Sequence, residues 1–522
     1  MSPLKWWENA VIYQIYPRSF QDSNSDGIGD LNGIASRLNY IADLGVDAIW
    51  ISPFFMSPQY DFGYDVSNYC DINPEYGTLS DFDNLIQKTH KLGLRLMIDI
   101  VPAHCSSLHP WFEESRQSRD NSKADWFHWV DPKPDGSPPN NWLSFFGGLA
   151  WSWEPRRQQY YLHNFLPEQP NLNHANPQIC DELNKIARFW FDRGVDGFRL
   201  DAVHTINGDI PPYKDNLADP NFVLGPLPQD KQPFFRQLHD VAQLNQPVIQ
   251  KFSSAYRKIA DEYEGDRFLM GEVDGDEGNA MNVSKTFSEP GRLHATYNFD
   301  LLEWSGLTVL ELKEAISKAI EVFNGSGRLC FAFSNHDVPR SATRQLEPLG
   351  ISVNKQDDLQ LLLLQLETSL IGSTCVYQGE ELGLGDVIDI RVNRLKDAGG
   401  INFYPEFLGR DTCRTPMVWD KKKSMGGFTS ANQSWLPIAK AHLGKAGLDM
   451  ANDNKSIYSK FSKFLKWRKK QPAMMQANIM SEVSGGSREI IFDRVSKYQN
   501  LRCKFDFEMV KATFEEVKYG TS

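Results

Sequence analysis

Three short stretches of the sequence place a carboxylate where an apolar run gives way to a polar segment. The stretches GFRLDA, MGEV and SNHD carry Asp201, Glu272 and Asp337, in that order along the chain. A carboxylate at the end of a buried strand is rigidly held and partly desolvated, so its pKa can be tuned for chemistry. Two carboxyl groups about 5–5.5 Å apart can serve as nucleophile and general acid on a glycosidic bond. The pattern predicts such chemistry, and the alternative is that the three acids only cap helices.

The three acids belong to a regular alternation of strand-like apolar runs and amphipathic helical patterns. The predicted strands are Val11–Tyr16, Ala48–Ser52, Arg95–Val101, Val195–Asp201, Arg267–Glu272, Ala295–Phe299, Leu329–Ser334 and Thr374–Tyr377. Residues 31–44 and 179–193 show the helical pattern, because their apolar residues recur on one face. Eight strand–helix units predict an α/β fold, a (β/α)₈ TIM barrel, whose functional residues lie at the C-terminal ends of the strands.

Two interruptions and a change of pattern predict further parts of the fold. We expect residues 1–101 to form the first part of the barrel, 102–177 an inserted subdomain after the third strand, 178–450 the rest of the barrel with a long loop at 203–247, and 451–522 a helix followed by a small C-terminal β-domain. The segment after the third strand is too long for a structureless loop in a compact domain. The long loop contains six prolines before Pro247, which favours a rim over the barrel mouth.

Composition limits the classes of partner. The 522 residues carry a net charge of −12, which argues against nucleic acid and favours a small neutral substrate. The seven cysteines are odd in number and include no CxxC pair, so we expect neither a disulfide framework nor a zinc site, and reduced thiols suit a cytoplasmic location. No apolar run approaches about 18 residues, so no membrane span is expected. We expect no organic cofactor, and the sequence leaves the oligomeric state open.

Further motifs follow one another along most of the chain. They are VIYQIYPRSF, DSNSDGIGDL, ISPFF, DFGYDV, DIVPAH, QPNLN, GFRLDAV, GEV, SNHDVPR, YQGEEL and GRDTCRTPM. Taken together, they resemble the α-amylase-type glycoside hydrolase family, and within it the α-glucosidase and oligo-1,6-glucosidase group. So many motifs in order are far more specific than any one alone. The resemblance implies that Asp201 is the nucleophile, Glu272 the general acid/base, and Asp337 the residue that stabilises an oxocarbenium-like transition state.

The neighbours of these acids in the sequence agree with those roles. Arg199 lies two residues before Asp201, on the same face of a strand, and can keep that carboxylate ionised. Glu272 is flanked only by glycine, methionine and valine, an apolar setting that would favour its protonated form. We expect Asp337 and the adjacent His336 to bind sugar hydroxyls through hydrogen bonds.

The resemblance also implies a pocket for a terminal glucose. Asp61 and Tyr64 resemble the family's hydroxyl ligand and stacking platform, with His104 and an arginine of GRDTCRTPM beside them; we choose Arg414. The alternatives are a simple turn around Tyr64 and a satisfied core histidine at position 104. The family usually has asparagine before this histidine, whereas the chain has Ala103, which puts the local loop or metal architecture in doubt.

Three further positions bear on substrate choice. We expect Phe146 and Phe165 of the inserted subdomain to line the pocket, with a place in an aromatic core as the alternative. The residue after the nucleophile resembles a linkage selector, because valine there accompanies α-1,6 activity in the family. Here it is Ala202, which leaves room for an α-1,4-linked neighbour.

A loop after the first strand places oxygen-bearing side chains at every second position. Its likeness to a metal loop of the oligo-1,6-glucosidases implies structural Ca²⁺ or Mg²⁺ bound through Asp22, Asn24, Asp26, the Ile28 carbonyl and Asp30. The twelfth position is glycine, so the loop is not an EF-hand. The alternative is a string of Asx turns without a metal.

These observations favour an exo-acting, retaining α-glucosidase that prefers α-1,4 bonds of short oligosaccharides or α-glucosides, with possible transglucosylation. One alternative is a sucrose-acting or glucosyl-transferring relative, since the same covalent intermediate serves either acceptor. Another class is a non-catalytic module like the ectodomain of the amino-acid-transporter heavy chains. Such a module would be expected to lack catalytic acids or to carry a membrane segment, whereas this sequence has all three acids.

Overall fold

The computed structural model describes residues 5–208, 215, 247–273, 280–323, 328–476 and 479–518. The strands are β1 Val11–Ile15, β2 Ala48–Ile51, β3 Phe55–Met56, β4 Asn68–Ile72, β5 Arg95–Ile100, β6 Trp129–Val130, β7 Trp151–Glu154, β8 Gln159–Leu162, β9 Gly197–Leu200, β10 Phe268–Glu272, β11 Ala295–Tyr297, β12 Leu329–Phe331, β13 Ser373–Tyr377, β14 Ile479–Met480, β15 Glu489–Val495, β16 Asn500–Asp506 and β17 Lys511–Glu516. The helices are α1 Leu31–Leu44, α2 Leu79–Lys91, α3 Pro110–Ser115, α4 Pro177–Asp192, α5 Val248–Asp261, α6 Ala280–Phe287, α7 Val309–Phe323, α8 Ser341–Arg344, α9 Gln356–Glu367, α10 Ala398–Asn402, α11 Lys440–Leu443, α12 Gly447–Asn452, α13 Ile457–Arg468 and α14 Pro472–Met475.

Eight parallel strands close into a barrel in the order β1-β13-β12-β11-β10-β9-β5-β2. This confirms the predicted (β/α)₈ fold. The strands are shorter than predicted at several ends, most clearly at β12, which ends at Phe331 rather than Ser334. Asp201 therefore follows β9 directly and Glu272 is the last residue of β10, whereas Asp337 lies in the loop beyond β12.

Large side chains fill the barrel interior. Trp50, Met97, Met270 and Tyr297, from β2, β5, β10 and β11, belong to one buried cluster. A separate, larger core lies between the strands and the surrounding helices. Burial on both faces explains why these strands read as continuous apolar runs in the sequence.

Several helices begin at residues whose side chains cap them. The Asp30 side chain accepts a hydrogen bond from the Gly33 N–H at the start of α1, and Gly45 ends this helix with a φ of 102°. Thr78 and Asp81 form a reciprocal capping box at the start of α2. Such caps satisfy N–H groups that have no partner within the helix.

Two smaller sheets lie outside the barrel. The inserted subdomain contains an antiparallel sheet in the order β6-β8-β7, and the C-terminal part contains an antiparallel sheet in the order β14-β15-β16-β17. The buried Arg494 of β15 donates to the carbonyls of Ser369, Leu370 and Met474, which ties the C-terminal sheet to the barrel. Most of the predicted rim at 203–247 lies outside the described residues. Among the helices in the described ranges, none has the length and apolarity needed to cross a bilayer.

Candidate active site

One buried guanidinium joins three carboxylates at the C-terminal end of the barrel. Arg199 Nη1 lies 2.5 Å from Asp201 Oδ1 and 3.0 Å from Asp99 Oδ1, and its Nη2 lies 2.8 Å from Glu272 Oε2. The strand register explains the cluster, because Arg199 on β9 is paired with Asp99 on β5 and with Met270 on β10. The guanidinium also lies 5.2 Å over the ring of Trp50, which fixes its plane.

The cluster carries more negative than positive charge. Burial raises the pKa of Asp201 well above its usual value, Arg199 opposes this effect, and the charges of Glu272 and Asp99 add to it. Burial likewise raises the pKa of Asp99 to about 7, again against the charge of Arg199. Three carboxylates therefore share one cation in a desolvated site, an arrangement that favours the protonated form of Asp201 and Asp99.

The structure contradicts the expectation that Glu272 lies in an apolar setting. The sequence suggested an apolar setting, but this carboxylate accepts hydrogen bonds from the backbone N–H of Ala202 at 2.7 Å and pairs with Arg199. That expectation is wrong because strand pairing brings polar groups from β9 to a residue whose neighbours along the chain are apolar. Ala202 adopts a left-handed conformation with φ 41° and ψ 44°, an uncommon one for a residue with a side chain. This turn directs its N–H at Glu272.

Asp337 lies against two arginines and a histidine. Arg414 Nη2 lies 2.8 Å and Arg410 Nη1 3.2 Å from Asp337 Oδ1, and His336 Nε2 lies 3.3 Å from Oδ2. Burial alone would raise the pKa of Asp337, but these neighbours together hold it well below its usual value. Its side chain is 29% exposed, against 10% for Asp201 and 11% for Glu272. Asp337 is therefore an ionised carboxylate at the more open part of the site.

The arginine that contacts Asp61 is Arg410, not the Arg414 chosen from the sequence. Arg410 Nη2 lies 2.7 Å from Asp61 Oδ1, and its Nε lies 2.7 Å from Asp397 Oδ1. Arg414 lies behind Asp337 and is fully buried. The two arginines are four residues apart on one short segment, and only the folded loop decides which of them faces Asp61.

The remaining predicted pocket residues are connected by hydrogen bonds. His104 Nε2 lies 3.1 Å from the Tyr64 carbonyl and 3.2 Å from the side-chain nitrogen of Gln169, which donates to Asp61 at 3.1 Å. The Tyr64 hydroxyl lies 2.5 Å from His336 Nε2. Burial lowers the pKa of His104 to about 4, so its imidazole is neutral at physiological pH.

The two predicted aromatic residues of the inserted subdomain also reach this region. The Phe165 ring lies 5.1 Å from the imidazole of His104, and the Phe146 ring lies 6.0 Å from Phe165. Arg410 lies 4.8 Å over the Phe146 ring. Both phenylalanines are half-buried, so they form an apolar wall beside the polar pocket residues.

Carboxylates in the loop after β1 accept hydrogen bonds from nearby backbone N–H groups. Asp22 accepts from the N–H groups of Asn24, Ser25 and Gly27, and Asp30 caps α1. Burial and the charges of Asp22 and Asp30 raise the pKa of Asp26, and carboxylate and amide oxygens suit a hard divalent cation. Within the described ranges, however, no three His, Cys, Asp or Glu side chains are gathered as a metal site. The Asx-turn string is present, and the cation remains a proposal.

Four residues of the site were missed by the sequence analysis. They are Gln14, Asp99, Gln169 and Arg410, which lie in the motifs VIYQIYPRSF, DIVPAH, QPNLN and GRDTCRTPM. Each motif had been recognised, so the available signal was a polar side chain inside a recognised motif. Choosing among the polar residues of a motif requires the contacts of the folded chain.

The chain is similar to known proteins over most of its length. Residues 14–477 match the family model described as "Alpha amylase, catalytic domain". A probable α-glucosidase of Rhizobium meliloti (strain 1021) is 46% identical, over 98% of this chain and 91% of its own. An oligo-1,6-glucosidase of Parageobacillus thermoglucosidasius is 34% identical, over 89% of this chain and 84% of its own. The crystal structure of an α-glucosyl transfer enzyme, XgtA, superposes with a TM-score of 0.91 at 42% identity, covering 97% of this chain and 92% of that one.

Proposed function

The chain belongs to the α-amylase family of glycoside hydrolases, and we propose that it is a retaining, exo-acting α-glucosidase of short oligosaccharides. The observation that carries the proposal is the pairing of Asp201 and Glu272 through Arg199 at the mouth of the barrel. A retaining mechanism needs one carboxylate that attacks and one carboxyl group that supplies a proton, close together.

In the first step, Asp201 attacks the anomeric carbon of the terminal glucose. A bond forms between its carboxylate oxygen and that carbon as the glycosidic bond breaks. Glu272 supplies the proton to the departing oxygen. Asp337, held ionised by Arg414 and Arg410, stabilises the positive charge that develops on the sugar ring.

In the second step, water attacks the same carbon from the opposite side. Glu272 takes a proton from this water, the bond to Asp201 breaks, and glucose leaves with its original α configuration. Arg199 contacts both carboxylates, so it can pair with whichever of Asp201 and Glu272 carries the negative charge at each step. If a sugar hydroxyl replaces water, the same step transfers glucose.

Asp61, His104 and Tyr64 suit recognition of a single terminal glucose. Asp61 and His104 are buried together and linked through Gln169, and a fixed set of this kind can bind ring hydroxyls with little reorganisation. We propose a preference for α-1,4 bonds, because the Ala202 methyl group leaves more room beside the leaving sugar than valine would. Glucosyl transfer is the second candidate, supported by the likeness to an α-glucosyl transfer enzyme.

Product analysis tests the proposal. Maltose, isomaltose, sucrose and p-nitrophenyl α-glucoside are incubated separately with the enzyme, and products are followed by NMR at early times. We expect α-glucose before mutarotation, and a higher kcat/KM for maltose than for isomaltose. β-Glucose as first product would refute the retaining mechanism, and rapid depolymerisation of starch would refute exo action. No turnover of any substrate would favour the non-catalytic, interaction-module class.

Two finer proposals concern the loop after β1 and the cellular location. Structural Ca²⁺ or Mg²⁺ at Asp22, Asn24, Asp26, Ile28 and Asp30 is supported by the oxygen-rich donor set. Chelation with EDTA should then lower the thermal midpoint, and added cation should restore it; an unchanged midpoint would contradict the metal. A cytoplasmic location is supported by seven free thiols.

A further inference from the structure

A buried glutamine inside the barrel contacts the imidazole of the active site. Gln14 lies on β1, and its side chain is fully shielded from solvent. Its amide nitrogen lies 2.8 Å from His336 Nδ1 and 3.4 Å from the hydroxyl of Ser52. The two residues are 322 positions apart in the sequence, and closure of the barrel brings them together.

The groups on the other side of the imidazole decide which nitrogen carries the proton. His336 Nε2 faces the Tyr64 hydroxyl at 2.5 Å and Asp337 Oδ2 at 3.3 Å. The Tyr64 hydroxyl donates its only hydrogen to Asp99 Oδ2, 3.3 Å away, so its oxygen accepts from His336 and Nε2 must carry a hydrogen. A neutral imidazole then has a lone pair on Nδ1, which accepts from the Gln14 amide.

The order of donor and acceptor continues from His336 to Tyr64 and on to Asp99. The Tyr64 hydroxyl accepts from His336 Nε2 and can donate its own hydrogen to Asp99 Oδ2, which lies 3.3 Å away. Asp99 is the carboxylate that shares Arg199 with Asp201 and Glu272. Every contact from Gln14 to Asp99 therefore has one donor and one acceptor. Burial lowers the pKa of His336 well below its usual value; the charge of Asp337 opposes this effect, and those of Arg414, Arg199 and Arg410 add to it, so the imidazolium that would disrupt this order is disfavoured.

We propose that Gln14 is a positioning residue that holds His336 as the neutral tautomer with hydrogen on Nε2. In that tautomer, Nε2–H donates to the Tyr64 hydroxyl and lies beside the Asp337 carboxylate, whose Oδ2 is 3.3 Å from Nε2. The consequence for catalysis by Asp337 depends on the proposed function, whereas the tautomer itself does not. The other tautomer would turn a lone pair towards the carboxylate of Asp337, so the position of both groups would be disturbed.

The side-chain amide of Gln14 lowers the stability of the fold, and packing alone does not explain its presence. Its oxygen, Oε1, is buried and has no hydrogen-bond partner among the described residues. An unsatisfied buried acceptor destabilises the fold, and an apolar side chain of similar size would avoid that cost. The hydrogen bond from its amide nitrogen to His336 is therefore the contribution that an apolar side chain could not make.

The first experiment reads the tautomer without using activity. The enzyme is labelled with ¹⁵N-histidine, and the imidazole resonances of His336 are assigned by their loss in His336→Gln. Wild type should show a protonated Nε2 and an unprotonated Nδ1. Gln14→Met, which removes the donor at similar volume, should give a mixture of tautomers, and Gln14→Glu should favour hydrogen on Nδ1. Wild-type tautomer in both variants would overturn the proposal, whatever reaction the enzyme catalyses.

The second experiment is a double-mutant cycle on kcat/KM. Gln14→Met should lower kcat/KM about tenfold or more in the wild-type background, since His336 beside Asp337 would no longer be held in one tautomer. In a His336→Ala background, the same substitution should change kcat/KM by less than about twofold, because Gln14 acts through His336. Equal losses in both backgrounds would overturn the proposal.

A matched control separates positioning from fold stability. Gln360 is equally buried and bonds Ser341 and Glu380 outside the pocket. Gln360→Met should lower the thermal midpoint and leave the His336 tautomer unchanged. If Gln360→Met altered the tautomer as much as Gln14→Met does, a general loosening of the barrel would explain both and the proposal would fail.

Discussion

Arg410 is the residue whose removal should have the most distinctive effect. Its guanidinium lies between Asp61, Asp337 and Asp397, whose side chains are 6%, 29% and 1% exposed. Arg410→Met preserves an apolar stem against Phe146 and leaves these carboxylates without their shared cation. Removing one partner of a buried ion pair costs about 3–5 kcal/mol. Arg414 stays near Asp61 and Asp397, so we expect a loss of unfolding free energy near the lower end, about 3 kcal/mol.

The contribution of Asp397 to the pH dependence of stability should have opposite signs in the wild type and in Arg410→Met. In the wild type, Arg410 and Arg414 outweigh burial and lower the pKa of Asp397 below its usual value. This carboxylate therefore stabilises the fold above the unfolded pKa of about 4, and that contribution is lost as the pH falls through the lower folded pKa. In Arg410→Met, burial dominates and the folded pKa of Asp397 rises. The variant should then gain stability on acidification from pH ~7 to ~5, relative to wild type.

The assay is urea denaturation at several pH values, together with kcat/KM on maltose. Activity should fall about 100-fold or more, since charge-assisted hydrogen bonds to Asp61 and Asp337 are both lost. Arg37→Met is the matched control, because its guanidinium bonds the Gln21 amide rather than a carboxylate. Adding Asp397→Asn to Arg410→Met should restore part of the stability. If Arg410→Met cost no more than Arg37→Met at every pH, unpaired buried carboxylates would not be the cause and the reasoning would be refuted.

Three further predictions concern the proposed chemistry. Asp201→Asn should lower kcat by about 10³-fold or more with a nearly unchanged thermal transition, and wild-type turnover would end its assignment as nucleophile. Glu272→Gln should impair maltose more than p-nitrophenyl α-glucoside in kcat/KM, because only the sugar leaving group needs protonation; equal losses would argue against acid catalysis. Ala202→Val should shift the ratio of kcat/KM values towards isomaltose and lower the thermal midpoint, since a β-branched residue is strained at a φ of 41°. An unchanged ratio would contradict the selector role.

The barrel was predictable because its strands are buried on both faces. The run Ala48–Ile51 is apolar along its length, Arg95–Ile100 is apolar at four of its six positions, and capping residues such as Asp30 mark where helices begin. These signals depend on neighbours along the chain, which the sequence contains in full. Strand ends were less predictable, since the residues beyond Phe331 remain apolar while the chain has already left the sheet.

The partners of the acidic residues were decided by tertiary structure. The sequence by itself identified Asp201, Glu272 and Asp337 and their order at the barrel mouth. It misjudged the surroundings of Glu272, because Arg199 and the Ala202 N–H reach this carboxylate across strand pairs rather than along the chain. The contact of Gln14 with His336 depends on closure of the barrel, and the choice of Arg410 for Asp61 depends on the packing of two loops. Both contacts join residues more than 300 positions apart, and such contacts have no local signature in a single sequence.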